Sequence, residues 1–175
     1  MTARRPGRVV LASGNAGKLA EIRALLEGSG LELVPQSDFG VPTVEETGTT
    51  FVENAIIKAR HAAEHTGLPA IADDSGLEVD VLGGAPGIRS ARFAGAGADD
   101  AANNRLLLER LAGRPASERR ARFRCVMVFL PDGASPAPII CEATWEGRIG
   151  ESPRGDNGFG YDPLFLPAGE PGSAA

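Results

Sequence analysis

An α/β fold built on a mixed sheet is predicted by three features of the chain. Apolar runs alternate with amphipathic helical segments through the first half, a unit of strand, glycine loop and helix stands near the start, and two long apolar runs flank a Pro131-Asp-Gly133 turn. At 175 residues and 42% hydrophobic content the chain is expected to form one domain, residues 1–175, with a sizeable core. Twenty-three acids against 18 lysines and arginines give a net charge of −5, which argues against general affinity for nucleic-acid backbones or anionic membranes. No apolar stretch approaches the length of a membrane span and the N-terminus lacks a signal-peptide core, so a cytoplasmic location is expected.

Residues 8–12 read as a buried strand that runs directly into Ser13-Gly-Asn-Ala-Gly-Lys18. A helix follows with apolar positions at Leu19, Ile22, Leu25 and Leu26 and closes at Gly28 and Gly30. Strand, glycine loop and helix together make an anion site: helix-start N–H groups are available, glycines let a phosphate approach, and Lys18 adds charge. The loop is two residues short of a Walker A motif and continues with Leu19 where that motif needs Ser or Thr, which excludes an ATPase P-loop. Residues 31–34 are expected as a strand, and a polar loop with Glu45 and Glu46 precedes Thr50. Thr50 and Glu53 are spaced as a capping box for a helix that places Asn54 and Lys58 on one face and ends at Gly67.

Residues 68–76 carry the acids around which the chain is organised. A short apolar run ends at Asp73 and Asp74, a strand delivering carboxylates to its carboxyl end, where open α/β sheets bind ligands. Strand alternation forbids both acids from facing one ligand unless the strand has ended, so one performs chemistry while the other orients or caps. Residues 79–82 are expected as a further strand, residues 83–95 as a glycine-rich loop with Arg89 and Arg92, and residues 99–111 as a helix burying Leu106, Leu107 and Leu111. Residues 123–130 and 139–145 are expected as paired antiparallel strands in central positions. Cys125 and Cys141 lie in these runs and are expected as buried thiols. Three glycines bracket Phe159, Tyr161 and Asp162, a way to present an aromatic face and a carboxylate to a flat heterocycle. Residues 167–175 read as a disordered tail. His61-Ala-Ala-Glu-His65 matches a zinc-peptidase pattern, with His61, Glu64 and His65 on one helix, and stands as a remote third functional class.

Six stretches, Ser13-x-Asn15-x-x-Lys18-x-x-Glu21, Glu46-Thr-Gly48, Phe51-x-Glu-Asn-Ala-x-x-Lys58-Ala59, Ala72-Asp-Asp-Ser-Gly76, Gly84-Ala-Pro-Gly-x-x-Ser-Ala-Arg92 and Gly158-Phe-Gly-Tyr-Asp-Pro163, closely resemble the Ham1/RdgB family of inosine triphosphate pyrophosphatases, in the family's order and across residues 8–166. The resemblance implies an elongated two-lobed α/β fold with a long central mixed sheet, an active cleft between the lobes and a homodimer. It implies Mg²⁺-dependent hydrolysis of non-canonical purine nucleoside triphosphates (ITP, dITP and XTP) to the monophosphate and pyrophosphate. By matching position, Ser13, Gly14, Asn15, Ala16, Gly17 and Lys18 resemble the triphosphate loop, with Lys58 a further phosphate contact. Glu46 and Asp74 resemble the magnesium ligands, Asp74 also the general base, and Ser75, Phe159, Gly160, Tyr161 and Asp162 the substrate contacts, with Phe159 stacking on the purine. Family members continue into a helix, a lysine and a Ser-His-Arg motif beyond the point where this sequence stops at Ala175. A nucleotide-binding protein with little turnover is therefore the second expectation.

Overall fold

The computed structural model describes residues 7–13 and 16–175, with the side chain of Ala16 excepted. Its strands form one six-stranded sheet in the order β2-β1-β3-β4-β5-β6, made by β1 (Gly7–Leu11), β2 (Leu31–Pro35), β3 (Ala70–Val79), β4 (Arg120–Leu130), β5 (Ile139–Ile149) and β6 (Phe165–Pro167). The helices are α1 (Ala16–Leu25), α2 (Phe51–Thr66) and α3 (Asp100–Arg110). None of the described helices is long and apolar enough to cross a membrane.

The chain divides into two compact units, the first Met1–Asp74 with Val126–Cys141, the second Ser75–Cys125 with Glu142–Ala175. In the first unit β1 lies between β2 and β3 and runs parallel to both. The β1-to-β2 connection moves outward and the β2-to-β3 connection moves back past β1. Right-handed crossovers in opposite directions place their helices on opposite faces of the sheet. The packing follows that rule. Leu19, Ile22 and Leu26 of the first crossover cluster with Val9, Leu11, Leu33 and Ile71 on one face. The other face carries Val10, Ala70 and Ala72, whose small side chains suit the buried alanines Ala55, Ala59, Ala62 and Ala63 of α2. The capping box is formed as its spacing predicts, with Thr50 accepting from the Glu53 N–H and Gly67 closing the helix in the left-handed region at φ 65°.

The second unit has its own core of Leu77, Val79, Leu107, Leu111, Ala121, Ile149, Tyr161, Leu164 and Phe165. Buried Arg119 donates to the carbonyls of Leu111 at 2.9 Å, Ile149 at 2.9 Å and Gly150 at 2.6 Å, tying the end of α3 to the end of β5.

Several expectations are corrected. Leu25 is 81% exposed because α1 ends there and the chain turns away through Leu26. Residues 80–82 form a 3₁₀ turn in place of a strand, since β3 itself runs on to Val79 and Gly83 then turns the chain. Residues 87–92 of the glycine-rich loop likewise form a 3₁₀ helix that buries Ser90. On α3 the core takes Leu107 and Leu111 with Leu108 packed against them, while Leu106 is half-buried and outside the cluster. Strand β5 is largely exposed, with Ile139, Ile140 and Trp145 facing solvent, because its neighbour β6 pairs only with Gly147, Arg148 and Ile149. Cys141 is accordingly exposed and Cys125 half-buried. The terminal stretch is hydrogen-bonded back on the second unit, Ala174 N–H donating to Phe165 O at 2.9 Å and the Ser173 hydroxyl to Arg154 O at 2.8 Å.

Candidate active site

The feature that builds the site is the length of β3. Just past β1, the Ala12 N–H donates to Ile71 O at 2.8 Å, and β3 then continues through Asp73 and Asp74. The strand does not end at the acid pair, so the two carboxylates leave it on opposite faces. Each meets a lysine from the helix over that face. Lys18 of α1 pairs with Asp73, and Lys58 of α2 donates to Asp74 Oδ1 at 3.0 Å. The expectation that one acid works and the other merely orients or caps becomes a sharper arrangement, in which adjacent residues serve two helices.

On the α2 face the acids converge. Lys58 Nζ also lies 3.0 Å from Glu46 Oε1, so a single ammonium bridges the loop carboxylate and the strand carboxylate. Asn54, one turn before Lys58 and fully buried, donates through Nδ2 to Asp74 Oδ2 at 3.3 Å and accepts the Gly48 N–H on Oδ1 at 2.9 Å. Its amide thereby links the Glu46 loop to β3. Gly48 is required for that approach: a Cβ there would lie 2.6 Å from both Asn54 Oδ1 and Glu53 Cβ. The Glu53 carboxylate accepts from Thr49 N–H at 2.7 Å, Thr49 Oγ1 at 2.9 Å and Thr50 N–H at 3.0 Å, and these bonds, those of Thr49 foremost, hold its pKa below the ordinary value. The cap of α2 is thus also the scaffold of the metal-candidate loop.

Burial pushes the Asp74 carboxyl up from its ordinary 3.8; Lys58 and Asn54 pull it down, Glu46 pushes it further up, and the balance is upward. Burial opposes the charge on Lys58, but Asp74 and Glu46 outweigh it and raise its pKa. On the α2 face two carboxylates, Glu46 and Asp74, share the single Lys58 ammonium, which leaves that group net negative by one charge. Oxygen donors at such a spacing, with a charge deficit, suit a hard divalent cation.

Other expected positions are distributed as follows. Ser13 is half-buried, Gly17 exposed, and Ser75 half-buried next to Asp74 in β3. Gly14, Asn15 and the side chain of Ala16 lie outside the described residues. In the second unit Phe159 is 48% exposed, while Tyr161 sits in the core and donates its hydroxyl to Ser90 O at 2.9 Å. Asp162 accepts the Phe159 N–H at 2.9 Å. The zinc reading fails. His61 and His65 direct ring nitrogens to the carbonyls of Pro42 at 2.9 Å and His61 at 3.1 Å, and no His, Cys, Asp and Glu group suited to a metal by itself occurs among the described residues. Sequence reasoning gave Asn54 no role in the site and left open which of Asp73 and Asp74 does the chemistry; the i, i+4 spacing of Asn54 with Lys58 was the available signal for the first.

The Ham1 family model matches residues 9–175. The chain belongs to the Ham1 family. The dITP/XTP pyrophosphatase of Thioalkalivibrio sulfidiphilus is 61% identical over 158 residues, covering 90% of this chain and 81% of that one, and its namesake from Escherichia coli strain K12 is 55% identical over 168 residues, covering 96% and 85%. Among solved structures, a HAM1 protein from Coxiella burnetii superposes with a TM-score of 0.91 at 51% identity over 97% of this chain and 86% of that one. The Ham1 protein of Staphylococcus aureus superposes at 0.85 with 39% identity over 96% and 85%. The Ham1 fold is the α/β mixed sheet expected from the sequence.

Proposed function

We propose that the chain hydrolyses the non-canonical purine nucleoside triphosphates dITP, ITP and XTP to the monophosphate and pyrophosphate, removing them from the nucleotide pool. The convergence of Glu46 and Asp74 on one Lys58 ammonium carries the reading, because it pairs metal-suited acids with fixed positive charge in the way polyphosphate chemistry requires. The names of close relatives, dITP/XTP pyrophosphatases, support the same substrate class.

Water attacks the α-phosphorus, the bond from that phosphorus to the α,β-bridging oxygen breaks, and pyrophosphate departs with the bridging oxygen and its electron pair. Asp74 takes the proton released by the water, and its elevated affinity for a proton suits it to that role. Glu46 and Asp74 would hold Mg²⁺, and the fit rests on their oxygen donors and on the negative balance of the cluster. When bound, the ion supplies charge neutralisation at the polyphosphate oxygens. Lys18 and Lys58, with the loop from Ser13 to Gly17, offset charge that builds on the leaving pyrophosphate. Ser75 and the Phe159 loop through Asp162 contact the nucleoside, the Phe159 ring stacking on the purine. A homodimer of single-domain chains working in the cytoplasm completes the reading.

The test is direct. Incubation with dITP, ITP, XTP, ATP and GTP in turn, with Mg²⁺ or with chelator, should release pyrophosphate and monophosphate from the first three only and only with metal. Release of orthophosphate in place of pyrophosphate, or equal turnover of ATP, would overturn it.

A further inference from the structure

The loop that presents Phe159 is fixed from outside itself. Both backbone polar groups of Gly160 are taken by side chains of α3: its N–H donates to Asp100 Oδ2 at 2.7 Å and its carbonyl accepts from Asn104 Nδ2 at 2.8 Å. Asp100 and Asn104 stand one turn apart on the same helix face, which gives two anchor points at a fixed separation. The helix beneath them is rigidly mounted, with Asp99 capping its start through the Ala102 N–H at 2.7 Å and Leu107 and Leu111 in the core. Gly160 has φ 61°, a conformation that suits glycine, so the clamped residue is also one that few side chains could occupy.

Asn104 pays for this arrangement. Its Oδ1 is the buried side-chain polar atom without a hydrogen-bond partner among the described residues. Turning the amide over would satisfy nothing at Gly160, whose carbonyl needs a donor. A leucine would remove the orphan acceptor but would also leave the Gly160 carbonyl without its donor, so what the amide contributes at this position is its hold on Gly160. The residue also borders a cavity of about 570 Å³ whose wall includes Phe159, Gly160, Arg105 and Leu108.

The geometry points to Asp100 and Asn104 as positioning residues that set the pose of the Phe159 ring through Gly160 and so govern affinity for the nucleobase. This rests on the reading of Phe159 as the purine-stacking residue. Neither side chain takes part in bond breaking. Their effect falls on ground-state and transition-state binding alike, in KM and not in kcat, because the ring lies against a part of the substrate remote from the reacting phosphorus.

Steady-state hydrolysis of dITP with Mg²⁺ should be compared in wild type, Asn104→Ala, Asp100→Ala, Asp100→Asn, Phe159→Ala and the Asn104→Ala/Phe159→Ala double variant, with melting temperatures alongside. Asn104→Ala and Asp100→Ala should raise KM about tenfold, the worth of one net hydrogen bond, with kcat within about twofold. Asp100→Asn keeps an acceptor for the Gly160 N–H and should retain a KM near wild type. Asn104→Ala should add little to Phe159→Ala, since both act through one ring. If Phe159→Ala raises KM and Asn104→Ala does not, or if Asp100→Asn behaves as Asp100→Ala does, the positioning role is wrong. If Phe159→Ala leaves KM unchanged, the base-stacking reading fails first and the positioning role falls with it.

Discussion

In the proposed mechanism Asp74 accepts the proton of the attacking water, and its environment makes two outcomes specific. Asp74→Asn removes the proton acceptor with little change of shape, and pyrophosphate release should fall by about 10²–10⁴-fold while the circular dichroism spectrum stays that of wild type. Turnover near the wild-type rate would assign the base elsewhere. The second outcome concerns titration. Burial raises the Asp74 pKa above 3.8 and Lys58 restrains that rise, so Lys58→Met should move the carboxyl midpoint higher still, read by carboxyl-carbon NMR in metal-free protein. A carboxyl that binds its proton more tightly when folded contributes most to stability at acid pH, and that contribution is lost as pH rises from 3.8 through the folded midpoint. Lys58→Met should therefore steepen the loss of stability across that window, and a midpoint that moves down would refute the electrostatic assignment.

At the scale of elements, the capping box of α2 does more than start a helix. Thr49, Thr50 and Glu53 fold the preceding loop back on the helix, and Gly48 passes close enough to Asn54 for its N–H to reach the buried amide. In Gly48→Ala the added methyl would meet Asn54 Oδ1 and Glu53 Cβ, both at 2.6 Å, and the Asn54 backbone nitrogen at 3.0 Å. The loop must then shift and carry Glu46 with it. Activity should drop by more than about tenfold, with a stability loss of roughly 1–2 kcal/mol by urea titration. Unchanged kinetics would mean that the Glu46 loop does not need this approach. Much of this element was legible beforehand, because a capping box and a one-turn pair are local patterns. The course of β3 was not. Aspartate and glycine are poor strand formers, so propensity ends the strand at the acid pair, whereas the folded chain holds both acids in the strand with lysines from two helices. Tyr161 and Leu25 were illegible for a related reason: burial is decided by what packs on a residue, and neither the Ser90 carbonyl nor the end of α1 is written near them in the sequence.

Across the whole molecule, two cores share one sheet's worth of strands, and the second core depends on a polar residue. Arg119 is 4% exposed and donates to three main-chain carbonyls, one of which, Leu111 O, also accepts the Arg114 N–H at 3.1 Å. Arg119→Met should cost about 2–4 kcal/mol and lower the melting temperature by roughly 5–15 °C, given the scaling for a chain of this size. A variant melting within a degree of wild type would show that water replaces the guanidinium at no cost. The acid pair of β3 has a further implication at this scale. Because Asp73 and Asp74 address opposite sides of the sheet, the strand keeps a parity: inserting or deleting one residue just before the pair exchanges the sides to which the two acids point, while a change of two preserves them. An odd change of length there turns each acid away from its lysine, and an even one keeps the sides but carries both acids about 6–7 Å along the strand, so side and position together fix the length of β3 ahead of the pair to the residue.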